Sequence, residues 1–401
     1  MAIANTPEQT NYDVVIIGGA MMGASVAWFL SAHPGFDGSI LVVERDPSYE
    51  FSSTAHTNSC LRQQFSQPIN VQVSQFGLDY VRNFRDHMGG DAEIPDLHFH
   101  AFGYLYLAAT DAGAQTLRDA QAMQAHLGAA TRLLTRPQLA EHFPFLDLND
   151  IVLGSHNNQD EGYFDGATMF DWWRNKARAG GVEFIHAEVT GLARTGARID
   201  AVRLRDATQI ACGTVVNAAG PRAALVAEMA GLTLPVQPRK RYTFVFEAAR
   251  PLDRDLPLTV DPGGVHMRSD GMMYMAGCPP RNDAPVAADD FTADHDLWQE
   301  VVWPAIAARI PQFDALKLRQ SWVGHYAYNT VDQNAIIGPH PEVGNFLMIN
   351  GFSGHGLQQA PAMGRGIAEW IVSGGYETLD LTPFAYDRIP QGRLLLEKAV
   401  I

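Results

Sequence analysis

The opening of the chain constrains its fold most. Tyr12-Asp13-Val14-Val15-Ile16-Ile17 is a short apolar, β-branched run of the kind that forms a buried parallel strand. It breaks at Gly18-Gly19-Ala20-Met21-Met22-Gly23. Ala24 to Leu30 then reads as an apolar-rich helix that stops before His33-Pro34-Gly35. A second strand, Ile40-Leu41-Val42-Val43, is closed by Glu44. Asp13 to Glu44 thus makes one strand–turn–helix–strand unit of the ~30 residues that a nucleotide-binding βαβ requires. Glu44 stands 21 residues after Gly23, close to the ~20-residue spacing of an acid that binds a ribose hydroxyl.

Each residue type has a physical task in such a unit. Glycine lets the chain turn tightly and lets backbone N–H groups approach a pyrophosphate at the positive end of a helix. A carboxylate at the end of the second strand accepts hydrogen bonds from the ribose and repels a 2′-phosphate. Ala20 occupies the place of the middle glycine in GxGxxG and narrows that approach by one methyl group. Gly18, Gly19, Ala20, Met22, Gly23 and Glu44 are the candidate dinucleotide contacts; the bland alternative is a glycine-rich turn with no ligand.

A nicotinamide enzyme and a flavoprotein both start this way. Further along, Thr214-Val215-Val216-Asn217-Ala218-Ala219-Gly220-Pro221 is another buried strand ending in a small-residue turn. Phe346-Leu347-Met348-Ile349 runs into Asn350-Gly351-Phe352-Ser353-Gly354-His355-Gly356, followed by a helix over 358–372 whose N-terminus suits an anion. Strand ends with glycine turns scattered over the chain suggest one nucleotide domain interrupted by insertions. A nicotinamide dehydrogenase more often keeps its unit contiguous.

Composition bounds the remaining possibilities. The 401 residues make two or three domains' worth, and 46% hydrophobic with 18% charged residues supports a substantial core. A net charge of −15 argues against nucleic-acid partners, which need clustered positive charge. Cys60, Cys212 and Cys278 are far apart and form no CxxC, so neither a disulfide framework nor a metal site is expected. No window reads as a membrane span. MAIANTPEQTN lacks the features of a signal or transit peptide, so the expected location is cytoplasmic.

The motifs VVIIGGAMMGAS, LVVERD, SSTAHTNSCLRQQFS, FIHAEVTGL, VVNAAGP and DQNAIIGPHPEVGNFLMINGFSGHGLQQAP, in this order, resemble those of the flavoprotein amine and amino-acid oxidoreductases. That is the D-amino-acid oxidase, glycine oxidase and sarcosine oxidase group. Within it, LRQQFS, PVQPRKRY, HYAYNTVDQNAIIGPHP and GFSGHGLQQAP are most similar to the FAD-dependent oxidoreductase-domain branch associated with assembly of respiratory complex I. With no transit peptide read in the sequence, a free-standing metabolic enzyme is expected rather than an assembly factor.

The resemblance implies an α/β (α+β overall) fold, a Rossmann-like FAD-binding domain with an inserted antiparallel-sheet substrate domain. The FAD-binding part is expected over 11–90, 150–232 and 328–395, and the substrate part over 91–149 and 233–327. The same resemblance places FAD against Gly18, Gly19, Gly23, Glu44 and Arg45, with Ser53, Asn58, Ser59 and Arg62 along the pyrophosphate and flavin. Val189, in a strand read as 184–189, would meet the adenine. Ala218 and Gly220 would wall the diphosphate, and Gly354, His355, Gly356 and Leu357 the pyrimidine edge.

Three family features are missing. Gly324 stands where related enzymes carry a flavin-linked cysteine, so noncovalent FAD is expected. Gln358 replaces a lysine that binds substrate carboxylate, which leaves Arg62 or the Arg239-Lys240-Arg241 run as candidate cations. The strand 271–277 has no lysine to speed reaction with oxygen, Met275 being nearest to that place. The expected reaction is therefore hydride transfer from the carbon beside an amine to flavin N5, followed by imine hydrolysis. A dehydrogenase that passes electrons to a quinone or electron-transfer flavoprotein is favoured over one using oxygen. Tyr326, Tyr328, Tyr274 and Phe352 are candidates for a dry aromatic pocket, and His325 or His355 for accepting a proton. Catalytic candidates are thus His355, Tyr326 and His325; substrate-binding candidates are Arg62, Gln358, Tyr274 and Arg241. A noncatalytic flavoprotein scaffold and a nicotinamide-dependent dehydrogenase are the alternatives.

Overall fold

A computed structural model describes residues 3–398. The first strand, Asn11–Ile17, lies at the centre of an eight-stranded sheet. On one side it pairs in parallel with Ile40–Glu44, which pairs in turn with Glu183–His186. On the other it pairs in parallel with Gln209–Asn217. That strand has two successive partners. Its first half meets the antiparallel Arg198–Leu204, and its second half the parallel Val343–Asn350.

Alternation along the first strand explains the layers. Val14 and Ile16 pack with Val26, Leu30, Met363 and Ile367 of the helices Met21–Ser31 and Gly356–Ser373. Val15 and Ile17 face the opposite layer with Leu192, Val202 and the helix Ala223–Met229. Burial on both faces is what a near-continuous apolar run demands.

A second eight-stranded sheet, mostly antiparallel, is built from 104–157 and 236–329. Its longest strands, Val236–Ala248 and Leu316–Asn329, pair antiparallel from end to end. One face is covered by Leu297, Trp298, Ile306 and Phe313. A three-stranded sheet of Cys60–Leu61, Gly162–Phe164 and Phe99–His100 completes the β-structure named among the described residues. The fold is the mixed α/β arrangement expected.

Local differences have simple causes. Leu153–Asn157 lies in the range 150–232 assigned to the FAD-binding part, yet it pairs with Tyr104–Ala108 in the second sheet. The run read as one strand over 184–189 is two: Glu183–His186 ends the parallel sheet, and Val189–Thr195 starts the antiparallel meander. The segment Trp298–Val302 is a π-type turn that leads into the α-helix Trp303–Arg309, with Pro304 in the first α turn. No described helix is long and apolar enough to cross a membrane.

Candidate active site

The strand ends and the second sheet enclose a cavity of about 360 Å³. Gly18 enters its wall in a left-handed conformation (φ +96°); a Cβ there would sit 2.6 Å from the Ala218 carbonyl oxygen. This close approach is what glycine permits and other residues do not. Ala20, Met22, Glu44, Arg45, Val189, Ala218 and Gly220 also border the cavity. Gly19 and Gly23 serve it from behind. The Gly19 N–H donates to Glu44 Oε2 at 2.8 Å. A Cβ on Gly23 would lie 1.9 Å from the Gly18 carbonyl oxygen, so this glycine sets the contact between helix and strand.

Glu44 is buried, and burial raises its pKa against the opposing hydrogen bonds from Asp46 and Gly19. Its second oxygen accepts the Asp46 N–H at 2.8 Å. The helix Met21–Ser31 starts at Ala20 with no side-chain cap, as does Gly356–Ser373 at His355. Thr54 Oγ1 accepts the Met21 N–H at 3.2 Å, and the two electropositive helix starts border one cavity.

Beside the second helix start Arg62 is buried and stacks over Phe65 at 4.3 Å. Its guanidinium donates to the Tyr106 hydroxyl and, at 3.0 Å, through Nη2 to His355 Nε2. An arginine only donates, so His355 Nε2 accepts and its proton resides on Nδ1. Burial and then the Arg62 charge hold His355 well below the usual histidine range. His355 is thus neutral and presents a donor, which corrects its expected role as proton acceptor. The Gln358 side-chain oxygen accepts the Arg62 backbone N–H at 2.7 Å. That amide carbonyl orients Arg62, which the sequence expectation of direct substrate contact did not foresee.

Ser53, Asn58, Ser59, Arg241, His325, Tyr326, Gly354, Gly356 and Leu357 border the same cavity. Tyr326 lies against Gly354, where a Cβ would be 2.5 Å from its ring, and the Arg241 guanidinium sits over that ring at 4.6 Å from its centre. Burial raises the Tyr326 pKa, so its phenol stays protonated. His325 Nε2 donates to the Asp290 carbonyl oxygen at 2.8 Å, and its ring stacks on Phe291. Its imidazole is therefore engaged with a loop and not with the Arg62–His355 pair. Tyr274 is the clear misplacement. Its hydroxyl accepts the Leu252 N–H at 2.8 Å within the aromatic core with Phe246 and Phe313, outside the cavity wall.

Several contributors escaped sequence reasoning. His266 borders the cavity, and burial lowers its pKa to about 4. Tyr104 and Tyr106 come from the second sheet. Glu161 is fully buried and pushed up to about 8 by desolvation, although it accepts the backbone N–H groups of Gln63 and Gln64 at 2.6 and 2.9 Å. Cys60 and Cys278 border the cavity too, with burial raising both thiols, Cys278 to about 12. Gly324 has no room for a side chain: a Cβ would meet that of His56 at 2.6 Å.

These features fit FAD. Asn58 Oδ1, His266 Nδ1, His355 Nδ1 and the Tyr49 hydroxyl are buried without a hydrogen-bond partner among the described residues. All four residues border the cavity that holds the two helix starts and Glu44. Such a distribution suits a long ligand with polar groups at intervals and a central diphosphate.

Comparison with known proteins agrees. The FAD dependent oxidoreductase family model matches residues 13–370. FAD-dependent oxidoreductase domain-containing protein 1 of Xenopus laevis is 37% identical over 423 residues, covering 97% of this chain and 85% of that protein. Sarcosine oxidase subunit beta of Rhizobium meliloti is 26% identical, with 97% and 91% covered. The crystal structure of L-proline dehydrogenase from P. horikoshii superposes with a TM-score of 0.83 at 26% identity, covering 97% of this chain and 100% of that one. With the glycine turn, Glu44 and both helix starts gathered on one cavity, the chain belongs to the family of FAD-dependent oxidoreductases, related to amino-acid and sarcosine oxidases.

Proposed function

We propose that the protein oxidises the carbon–nitrogen bond of a small secondary amine or amino acid, and that its FAD is held noncovalently. FAD in the cavity supplies the two-electron acceptor for the hydride that leaves the substrate carbon. The observation that carries this reading is the buried Arg62–His355 pair beside the second helix start. Arg62 places positive charge beside His355 and fixes its Nε2, while Gln358 fixes the Arg62 backbone.

The chain's own groups favour an uncharged amine. His355 and His266 are neutral, Tyr326 is protonated, and Arg62 and Arg241 are cationic. An ammonium ion entering among them gains no carboxylate partner and loses its water, so the free amine binds better. Its lone pair then supports the cation that develops as hydride departs. His355 Nδ1–H is available to hold a substrate oxygen.

No lysine among the described residues borders the cavity, and the absence of a mobile ammonium among them supports a dehydrogenase over a fast oxidase. Quinones and electron-transfer flavoproteins are the acceptor classes proposed. The test is anaerobic reduction of the holoprotein with a panel of secondary amines and amino acids, followed by reoxidation with air or a soluble quinone. Bleaching by at least one amine, with quinone faster than air, is expected. Failure of every amine to reduce the flavin contradicts the proposed reaction; faster reoxidation by air contradicts the dehydrogenase assignment.

A further inference from the structure

Arg241 borders the cavity beside Tyr326, but its guanidinium is already clamped. Nη1 and Nη2 donate to the two oxygens of Asp283 at 2.7 and 3.2 Å. Arg239, stacked over Tyr328 at 4.0 Å, donates to the same carboxylate at 3.2 Å. One carboxylate thus serves two arginines.

Asp283 opens a segment, 283–292, that contains neither helix nor strand and reaches the cavity wall at Ala288. The Val286 N–H donates to the Pro238 carbonyl oxygen at 3.0 Å. Lys240 Nζ donates to Asp290 and to the Thr292 carbonyl oxygen at 2.8 and 2.9 Å. Phe291 stacks on His325 of the second sheet and also meets Phe51 and His56, which follow the nucleotide unit. Ala288 forms part of the cavity wall. At its first residue the segment is fastened by a carboxylate on an arginine fork, the chemistry that an amino-acid substrate brings with it.

We propose that Asp283 is an exchangeable internal carboxylate: the carboxylate of an amine-bearing acid takes the Arg241 fork, while Asp283 remains on Arg239. The exchange conserves the number of charge-assisted bonds on Arg241 and leaves no buried cation bare, because Arg239 keeps its acidic partner. It selects carboxylate-bearing amines over simple amines and loosens the first residues of the segment as the ligand enters. The inference rests on the amine-oxidation reading for the identity of the ligand, but its binding test is independent of turnover.

The experiment titrates the holoprotein with benzoate and with neutral benzamide, following the flavin absorbance. In Asp283→Asn the benzoate Kd is expected to fall about tenfold, with benzamide unchanged and the gain lost in Asp283→Asn/Arg241→Met. In the wild-type protein, saturating benzoate but not benzamide is expected to speed amide hydrogen exchange over 283–288. Equal benzoate affinity in Asp283→Asn and wild type, or a gain that survives loss of Arg241, overturns the proposal. So does unchanged hydrogen exchange in the wild type, a readout that requires no variant to fold. Reduction of the flavin by amines, with normal benzoate behaviour in Asp283→Asn, would sink the exchange and leave the catalytic reading standing.

Discussion

Gly23 and Arg62 show how individual residues carry the site. A methyl group on Gly23 would lie 1.9 Å from the Gly18 carbonyl oxygen, a backbone atom that cannot step aside. Gly23→Ala is expected to cost at least the ~1–3 kcal/mol of ordinary overpacking and to lower the flavin-to-protein absorbance ratio of the purified protein. Arg62→Lys keeps the charge but loses the fork shared between Tyr106 and His355. Its kcat/KM for an amino-acid substrate is expected to drop about tenfold or more, with FAD content unchanged; an unchanged kcat/KM would remove Arg62 from substrate recognition. The glycines were legible in the sequence because strand, helix and acid stand at fixed spacing around them. Arg62 was legible only through the family motif. Its partner Tyr106 is 44 residues away, and Glu161 meets Gln63 across 98 residues. Nothing local to either residue announces such a contact. Tyr274 failed for the complementary reason: a tyrosine in an alternating strand can face either side, and this one faces the core.

The two helices whose starts open on the cavity also cross each other. Ser25 Oγ donates to the Ala360 carbonyl oxygen at 2.7 Å, and a Cβ on Gly364 would stand 2.0 Å from that hydroxyl. Pro361, which has no N–H to give, lies in the same helix beside this contact. Gly364→Ala is therefore expected to destabilise by about 1–3 kcal/mol and to weaken FAD binding, since the helix starts move together. A fluorescence titration of FAD into the apoprotein checks this; unchanged affinity at a lowered melting temperature would separate the crossing from the site. Element types were legible where period and punctuation agree, as in Asn11–Ile17 and Gly356–Ser373. They were not where apolar character runs through a change of partner. Ile185 and Val189 are both core residues, so hydrophobicity does not reveal that the chain leaves the parallel sheet at Ala187-Glu188.

Over the whole molecule, buried titratable groups set the pH range of stability. His156 and His266 are lowered to about 4 and His355 also lies well below its usual value, all chiefly by burial. Unfolding lets them take up protons below about 6.5, so their contribution is lost as pH falls from there towards 4. Glu161 is raised to about 8. The folded state then holds a proton that the unfolded state has released, and stability declines as pH rises from about 4.5 to 8. With His325 and His340 also lowered by burial and Glu44 raised by it, the histidines outweigh the two acids below 6.5, which puts the maximum near that pH. Thermal melts across pH 4–9 are expected to show this maximum, and Glu161→Gln to flatten the alkaline limb; a melting temperature still rising at pH 8 would contradict the assignment. The gathering of the second sheet from 104–157 and 236–329 was legible only in outline, because the pairing of Leu258–Val260 with Tyr104–Ala108 depends on distant segments meeting. The most direct measurement of the central claim is the absorbance spectrum of the purified protein before and after acid precipitation. A flavin spectrum that moves wholly into the supernatant, as FAD, is expected of a cavity with two helix starts on its wall and no thiol at position 324. A colourless protein that takes up no FAD, or a flavin that stays with the precipitate, would contradict it.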